Sequence, residues 1–532
     1  MAGVALAPDG NFAAYVLSER EGNSRWVQQV GTASSIRVLP PGNSEFWGLA
    51  FSPDGAYLYY SLFHSDRADV DLFRLPSLGG MPQTIADISA PGFAISPDGT
   101  RIAHTTSHAA AGKTFLQVAR ADGSHQRRVA KRQQPSNFEI RGQVISWSAD
   151  GETLAAVVNH DAKNLHYSAI VGINVADGAE RALSDERWYN VSGLQWLEDG
   201  SGLVMVASDH PDMLNQLWFL PYPSGAARRI TNDLSRYGWL GVASDSRTVL
   251  TVQTHAVSSV WLGPAANGVS GVREIVSEIG PLSPFGWLSD GRIVFRSRAG
   301  GRSNLWLMNA DGSGRRQLTS DAQATDRGLC TSPDGRYVVF VSWRAGQQNL
   351  WRMDVNESLT QLTTGAGEAY PSCSPDGRWV VYQSGIGVGK PTVWRVALTG
   401  GPPQPLVETL GTKPVISNDG QRVAYFYMDE DKWRIGVIPA AGGEVLLRLD
   451  VPVAVTERVL RWSPDDDALY YVSTVGDVGN VRALPLDGAP PRRVTGFSSH
   501  LLNDFMLSAD GTQLAFTRGI ARRNVVLLGD LQ

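Results

Sequence analysis

The chain has 532 residues and a formal net charge of −5, so it can bury sizeable cores and carries no basic field suited to nucleic acid. No stretch approaches the roughly 18 apolar residues of a membrane helix, and the start MAGVALAPDG lacks a charged region followed by an apolar one. Two cysteines make neither a disulfide framework nor a zinc site.

From the N-terminus onward one four-residue turn recurs. It reads APDG at 7–10, SPDG at 52–55 and 96–99, SADG at 148–151, LEDG at 197–200 and ASDS at 243–246. It continues as LSDG at 288–291, SPDG at 332–335 and 374–377, SNDG at 417–420, SPDD at 463–466 and SADG at 508–511. Each residue has a job in the turn: proline pre-sets φ, aspartate folds back onto the backbone, and glycine takes the left-handed conformation that closes a hairpin. The twelve turns are spaced 42 to 49 residues apart by their aspartates, with one longer step from Asp98 to Asp150. A second marker, LW or VW, follows at Trp218, Trp261, Trp306, Trp351 and Trp394, usually trailed by a glycine-rich turn and a final strand such as RRITND or RRQLTSD.

Two neighbouring units, TSPDGRYVVFVSWRAGQQNLWRMDVNESLTQLT (331–363) and CSPDGRWVVYQSGIGVGKPTVWRVALTGGPPQPL (373–406), show the common order of turn, strand, loop, strand, turn, strand. Inside each unit the apolar period is 2 and not 3.6, which excludes a helical solenoid. Four short antiparallel strands repeated in this way predict an all-β fold of tandem β-propellers with twelve four-stranded blade units. Twelve blades around one axis would leave a wide hole, so six plus six is the expected split, with five plus seven open. The break is placed near SEIGPLSPFGW (277–287), where Pro281 and Pro284 interrupt a strand end, giving a first propeller over 1–280 and a second over 281–532. The chain starts inside the first strand of its first unit and stops after NVVLLGDLQ, one strand short of a full blade. A missing outer strand exposes an edge, and the expectation is that an upstream segment completes it.

Several stretches invite a chemical reading. SGIGVGKPT (384–392) offers Gly389-Lys390 of a phosphate loop, but Ser384 stands where the first glycine belongs and Pro391 replaces the hydroxyl residue. Strand-like flanks make it a hairpin connection. RRVAKR (127–132) reads as a solvated loop. The pairs His104/His108 and His160/His166 are close in sequence without forming H-E-x-x-H, and MDEDKW (428–433) lacks the alternating carboxylates of a calcium loop, so no metal or other cofactor is expected. Cys330 lies four residues before Asp334 and Cys373 three before Asp376, which puts them on opposite strand faces and predicts two free, buried thiols.

The stretches NLWLMNADGSGRRQLT (304–319), SPDG (332–335), RITND (229–233) and QLAFTRGIARRNVVLL (513–528) carry a resemblance. They resemble the TolB-like, WD-related propeller repeat of bacteria, and most of all the C-terminal propeller region of bacterial receptor-type serine/threonine protein kinases. Similar regions follow winged-helix DNA-binding domains. The resemblance covers the whole chain and implies a sensor role outside the cytoplasm, with a covalently linked upstream domain. The chain itself has no kinase signature and no G-x-S-x-G elbow, so no catalysis is expected of it. The alternative is the substrate-gating propeller of a prolyl oligopeptidase-type hydrolase, separated from its catalytic domain.

The remaining functional surface of a propeller is the mouth of its channel. Trp47, Trp239, Arg327, Glu368, Tyr370, Lys413 and Asp504 stand at the starts of inner strands and are unusually polar or aromatic for such positions. The expected ligand-binding set is Arg327, Glu368, Tyr370, Lys413 and Asp504, converging on the axis of the second propeller to take a peptide, a protein segment or a small polar ligand. The competing reading is that the four charged members neutralise each other in a water-filled channel.

Overall fold

The computed structural model of the protein describes residues 3–529 apart from 20–21, 43–44, 65–68, 109–111, 163–164, 211–212, 224, 266–270, 280–284, 299–302, 321–323, 355–357, 366, 386–390, 430–431, 453–454, 477 and 509. Among the described residues every helix or strand is a β-strand, and no helix is long and apolar enough to cross a membrane. Two compact units form, one of residues 1–255 with 522–532 and one of residues 256–521.

In the first unit, blades 1 to 5 are the sheets over 3–42, 45–89, 92–133, 136–182 and 190–229, and blade 6 combines Arg236–Val242 with 249–255 and 522–528. In the second unit, blades 7 to 11 cover 285–317, 324–361, 369–407, 412–450 and 455–493. Blade 12 there combines Leu501–Leu507, 513–521, 256–264 and Arg273–Ile279. In each unit the inner strand of every blade lies beside those of the blades before and after it, and the sixth returns to the first. Each unit is therefore a closed six-bladed propeller.

The units part inside the strand Val249–Pro264, between His255 and Ala256, and not at 280/281, and the C-terminal residues from Arg522 return to the first unit. The prolines at 281 and 284 fall in the connection between blades 12 and 7, outside the described residues. The true crossing carries no glycine or proline, because a strand that simply continues needs no turn chemistry.

The recurrent turn joins the inner strand of a blade to its second strand, and its bonds explain its composition. In the turn at 332–335, Gly335 donates N–H to Ser332 at 2.9 Å with φ 70°, and Arg336 donates N–H to Asp334 Oδ1 at 3.0 Å. Hydrogen bonds from the serine hydroxyl, and then from the amide, hold the carboxyls of Asp54, Asp150 and Asp334 below the usual range. Two turns end in a residue other than glycine, Ser246 at φ 56° and Asp466 at φ 57°. Both side chains reach the turn of the preceding blade: Ser246 Oγ accepts Asp199 N–H at 3.1 Å, and Asp466 accepts the N–H groups of Asn418 and Asp419 at 3.0 and 2.8 Å. The left-handed strain of roughly 1–2 kcal/mol is offset by these inter-blade bonds.

The tryptophan marker lies on the third strand, opposite another ring of the second: Trp306 faces Phe295, Trp351 faces Phe340 and Trp394 faces Tyr382. The threonine of the Q-L-T ending, or R-V-T in blade 11, accepts the backbone N–H of the residue just before that register. Leu305 donates to Thr319 Oγ1 at 3.0 Å, Leu350 to Thr363 at 2.9 Å and Val481 to Thr495 at 2.8 Å. Some outer strands are short and charged, as at Arg228–Arg229 and Arg492–Arg493, which blunts those exposed edges. RRVAKR belongs to such an edge strand, Arg127–Gln133, and is not a loop, because its alternate side chains lie against the neighbouring blade: the Arg132 guanidinium sits 4.9 Å above the Phe138 ring. The centre of the SGIGVGKPT loop, including Lys390, lies outside the described residues, but the strands Trp379–Ser384 and Thr392–Ala397 flank it as a hairpin.

His104 is buried in blade 3, and burial pushes its imidazole down to about 4, with a backbone hydrogen bond to Ser89 opposing in part. Its folded value lies below its unfolded one, so the unfolded chain binds the extra proton and stability falls as pH drops through the window from about 6.5 to 4. The expected loss between pH 7 and pH 5 is about 2 kcal/mol, absent in His104→Gln, as read from urea unfolding at the two pH values. His108 meets Phe115 edge-on at 5.3 Å, and His160 bonds Ser136 at 2.9 Å and stacks on Tyr167 at 4.6 Å.

Candidate ligand-binding channel

The inner strands of blades 8 to 12 share an irregularity. Pairing with the second strand shifts between Ala324 and Leu329, Ala369 and Ser372, Thr412 and Val415, Val455 and Leu460, and Leu502 and Asp504. Extra residues are thus squeezed out of the ladder toward the axis. At blades 9 and 10 the extruded residue is left-handed and followed by proline: Tyr370 at φ 54° before Pro371, and Lys413 at φ 50° before Pro414. Proline cannot donate to the ladder, so it suits the place where pairing lapses.

These bulges line a cavity of about 690 Å³. Arg327, Tyr370, Lys413 and Asp504 all reach its wall, joined by Arg461 and Asn503. The Lys413 ammonium lies 4.9 Å above the Tyr370 ring, and Arg461 Nη2 bonds Asp504 Oδ1 at 3.1 Å. Asp504 Oδ1 also accepts its neighbour Phe505 N–H at 2.9 Å. Three cationic side chains from blades 8, 10 and 11 stand against the carboxylates of Asp504 and Asp510, and Asp510 is held by Thr512 N–H of its own turn at 3.1 Å. The wall therefore has an excess of positive charge in a concave, partly desolvated space, where guanidinium and ammonium donors attract carboxylates more strongly than on open surface.

Glu368 does not join this set. It is 1% exposed, and its carboxylate accepts Asn349 Nδ2–H at 2.6 Å, Thr363 Oγ–H at 2.9 Å and Ser384 Oγ–H at 3.4 Å. Burial pushes its carboxyl up, and those three bonds oppose the shift. The bulge separates it from Tyr370: residues 368 and 370 would share a face in a regular strand, but the left-handed turn at Tyr370 sends the two side chains apart. Arg461 lies between the buried Leu460 and Trp462, and an arginine alternating with core residues in VLRW is the signal that would have marked it.

The cysteines are bonded, not free. Cys330 and Cys373 form a disulfide with Cα atoms 5.7 Å apart, joining the inner strands of blades 8 and 9 at the cavity wall. In a ring of blades the surfaces that meet are opposite faces of successive sheets, so the parity that sets the two cysteines apart within one strand frame is the one that brings the two sulfurs together.

The first unit is different. Its cavity is about 190 Å³ and its lining has no arginine or lysine, and Gln143 and Gln195 accept across it from Leu240 N–H at 2.6 Å and Val242 N–H at 3.1 Å. Trp47 stacks on Phe63 at 4.7 Å beneath the Arg141 guanidinium at 5.1 Å, and Trp239, at φ 60°, lies 5.9 Å from Phe46.

No protein-family model matches the chain. A stretch of 185 residues is 28% identical to an uncharacterized protein of Agrobacterium fabrum (strain C58), covering 32% of this chain and 62% of that protein's length. Similar solved structures include TolB from Acinetobacter baumannii, at 16% identity over 73% of this chain and 74% of that one, with a TM-score of 0.27. The tricorn protease is 13% identical over 99% of this chain and 63% of its own, TM-score 0.33, and an oligogalacturonate lyase in complex with manganese is 12% identical over 75% and 98%, TM-score 0.32. At these values the likenesses add no argument to the strand pairing described above.

Proposed function

We propose that the chain is a non-catalytic binding module, the sensor region of a kinase-linked bacterial signalling protein, and that the channel of its second propeller captures a carboxylate-bearing peptide or small polyacid. The observation that carries the reading is the pair of left-handed, proline-backed bulges at Tyr370 and Lys413. Such a conformation costs a non-glycine residue roughly 1–3 kcal/mol and gathers where side chains serve a ligand. Here the two bulges aim an aromatic ring and an ammonium into the cavity that also holds Arg327 and Arg461.

The kinase link rests on the resemblance of NLWLMNADGSGRRQLT and the turns around it. The placement outside the cytoplasm has a second support, the Cys330–Cys373 disulfide, since disulfides persist in oxidising compartments.

Hexaglutamate is a suitable probe of the channel. Calorimetric titration of the full chain is expected to show saturable binding, and Lys413→Glu to weaken it by roughly tenfold or more while Tm stays within about 2 °C. Equal affinity in the variant, or no heat with the native chain, would sink the reading.

A further inference from the structure

Among the described residues blade 6 of the first unit has three strands where every other blade has at least four. Its outermost strand is residues 522–528, RRNVVLL, and among the described residues nothing pairs with the side of it turned away from 249–255. The same two long strands build blade 12 of the second unit with their other halves, and there a fourth strand, Arg273–Ile279 (REIVSEI), is added. That strand runs antiparallel to Val257–Leu262, in register from Val257 opposite Ile279 to Leu262 opposite Arg273. The two half-blades are alike except that one edge is filled and the other open.

The open edge is a firm template. Val525 packs against the cluster of Val4, Leu6, Leu250 and Val252, and Leu528 against that of Leu197, Val204 and Tyr237. Both faces of the strand are thereby anchored while its backbone edge stays open. Two other outer strands, Arg228–Arg229 and Arg492–Arg493, are short and wholly arginine, which discourages pairing, whereas this one ends in four consecutive apolar residues, with Leu527 44% exposed.

We propose that residues 522–528 are a strand-addition site, which receives an extended segment of a partner polypeptide as the fourth strand of blade 6. The partner's chemistry follows from the filled counterpart and from charge: β-branched or leucine side chains in the middle of the segment and an acidic residue near its C-terminal end. In antiparallel pairing that end lies opposite Arg522 and Arg523, as the glutamate of the S-E-I ending would. Main-chain hydrogen bonds supply affinity, and the arginine end sets direction.

The probe is the peptide REIVSEI, blocked at both ends and labelled, titrated into the full chain by fluorescence anisotropy. Saturable one-to-one binding is expected, weakened by about fivefold in Arg522→Glu and unaffected by Lys413→Glu in the channel. Successive N–H groups of a strand point to opposite sides, so of Val525→Pro and Val526→Pro one removes an N–H facing 249–255 and the other removes one facing outward. The variant that keeps the native Tm should abolish binding. Absence of saturable binding, or binding indifferent to Arg522→Glu and to the proline variants, overturns the proposal. So does sedimentation showing that the edge is filled by a second copy of this chain.

Discussion

Glu368→Lys should cost about 3–5 kcal/mol of stability, seen as a large fall in the urea midpoint of the second unit. The reason is local. Asn349, Thr363 and Ser384 all donate to this carboxylate in a place that is 1% exposed, so a lysine there leaves an unpaired charge and three orphaned donors. Glu368→Gln should be far milder. Burial raises this carboxyl above its unfolded value, so the stability it contributes is full below the unfolded value and declines as pH rises through the folded one. A neutral amide that still accepts from Asn349 and Thr363 escapes that decline. Whatever folded Glu368→Lys protein remains should bind hexaglutamate as the native chain does, because the residue faces the blade and not the channel.

Reduction of the disulfide, or Cys330→Ser with Cys373→Ser, should lower stability by about 4 kcal/mol, the loop-closure effect of a cross-link over 43 residues. Urea unfolding with and without a phosphine reductant checks this: the native chain should shift and the double serine variant should not. The bond joins the inner strands carrying Arg327 and Tyr370, so the reduced protein should also open first at blades 8 and 9 in native-state hydrogen exchange.

The fold was legible because each blade repeats its own turn chemistry. Aspartate at the third place marks every one of the twelve turns, with glycine after it in all but two and proline before it in half, and the tryptophan of the third strand marks where it meets a ring of the second. What escaped reading depends on geometry between repeats. The strand Val249–Pro264 passes from one unit to the other without a turn residue, so no local signal marks His255 as a boundary. The cysteine pairing needed the ring, since strand parity alone separated the two residues that successive blades bring together. Around the channel, Arg327, Tyr370, Lys413 and Asp504 were reachable as polar or aromatic residues at inner-strand starts. Glu368 shares that sequence position, and only the left-handed turn at Tyr370 shows that its side chain goes elsewhere. The shortfall of one strand expected in the last unit is not found there: among the described residues blade 12 has four strands and blade 6 has three, because the two long strands are shared between the units.

The central claim is that the channel of the second propeller holds the ligand site. Hydrogen-exchange mass spectrometry of the full chain with and without hexaglutamate tests it most directly. Protection is predicted in the inner-strand segments 327–331, 370–373, 413–416 and 459–462 that line the 690 Å³ cavity, and none in the inner strands of the first unit. Protection confined to the first unit, or none anywhere at saturating probe, would contradict the account.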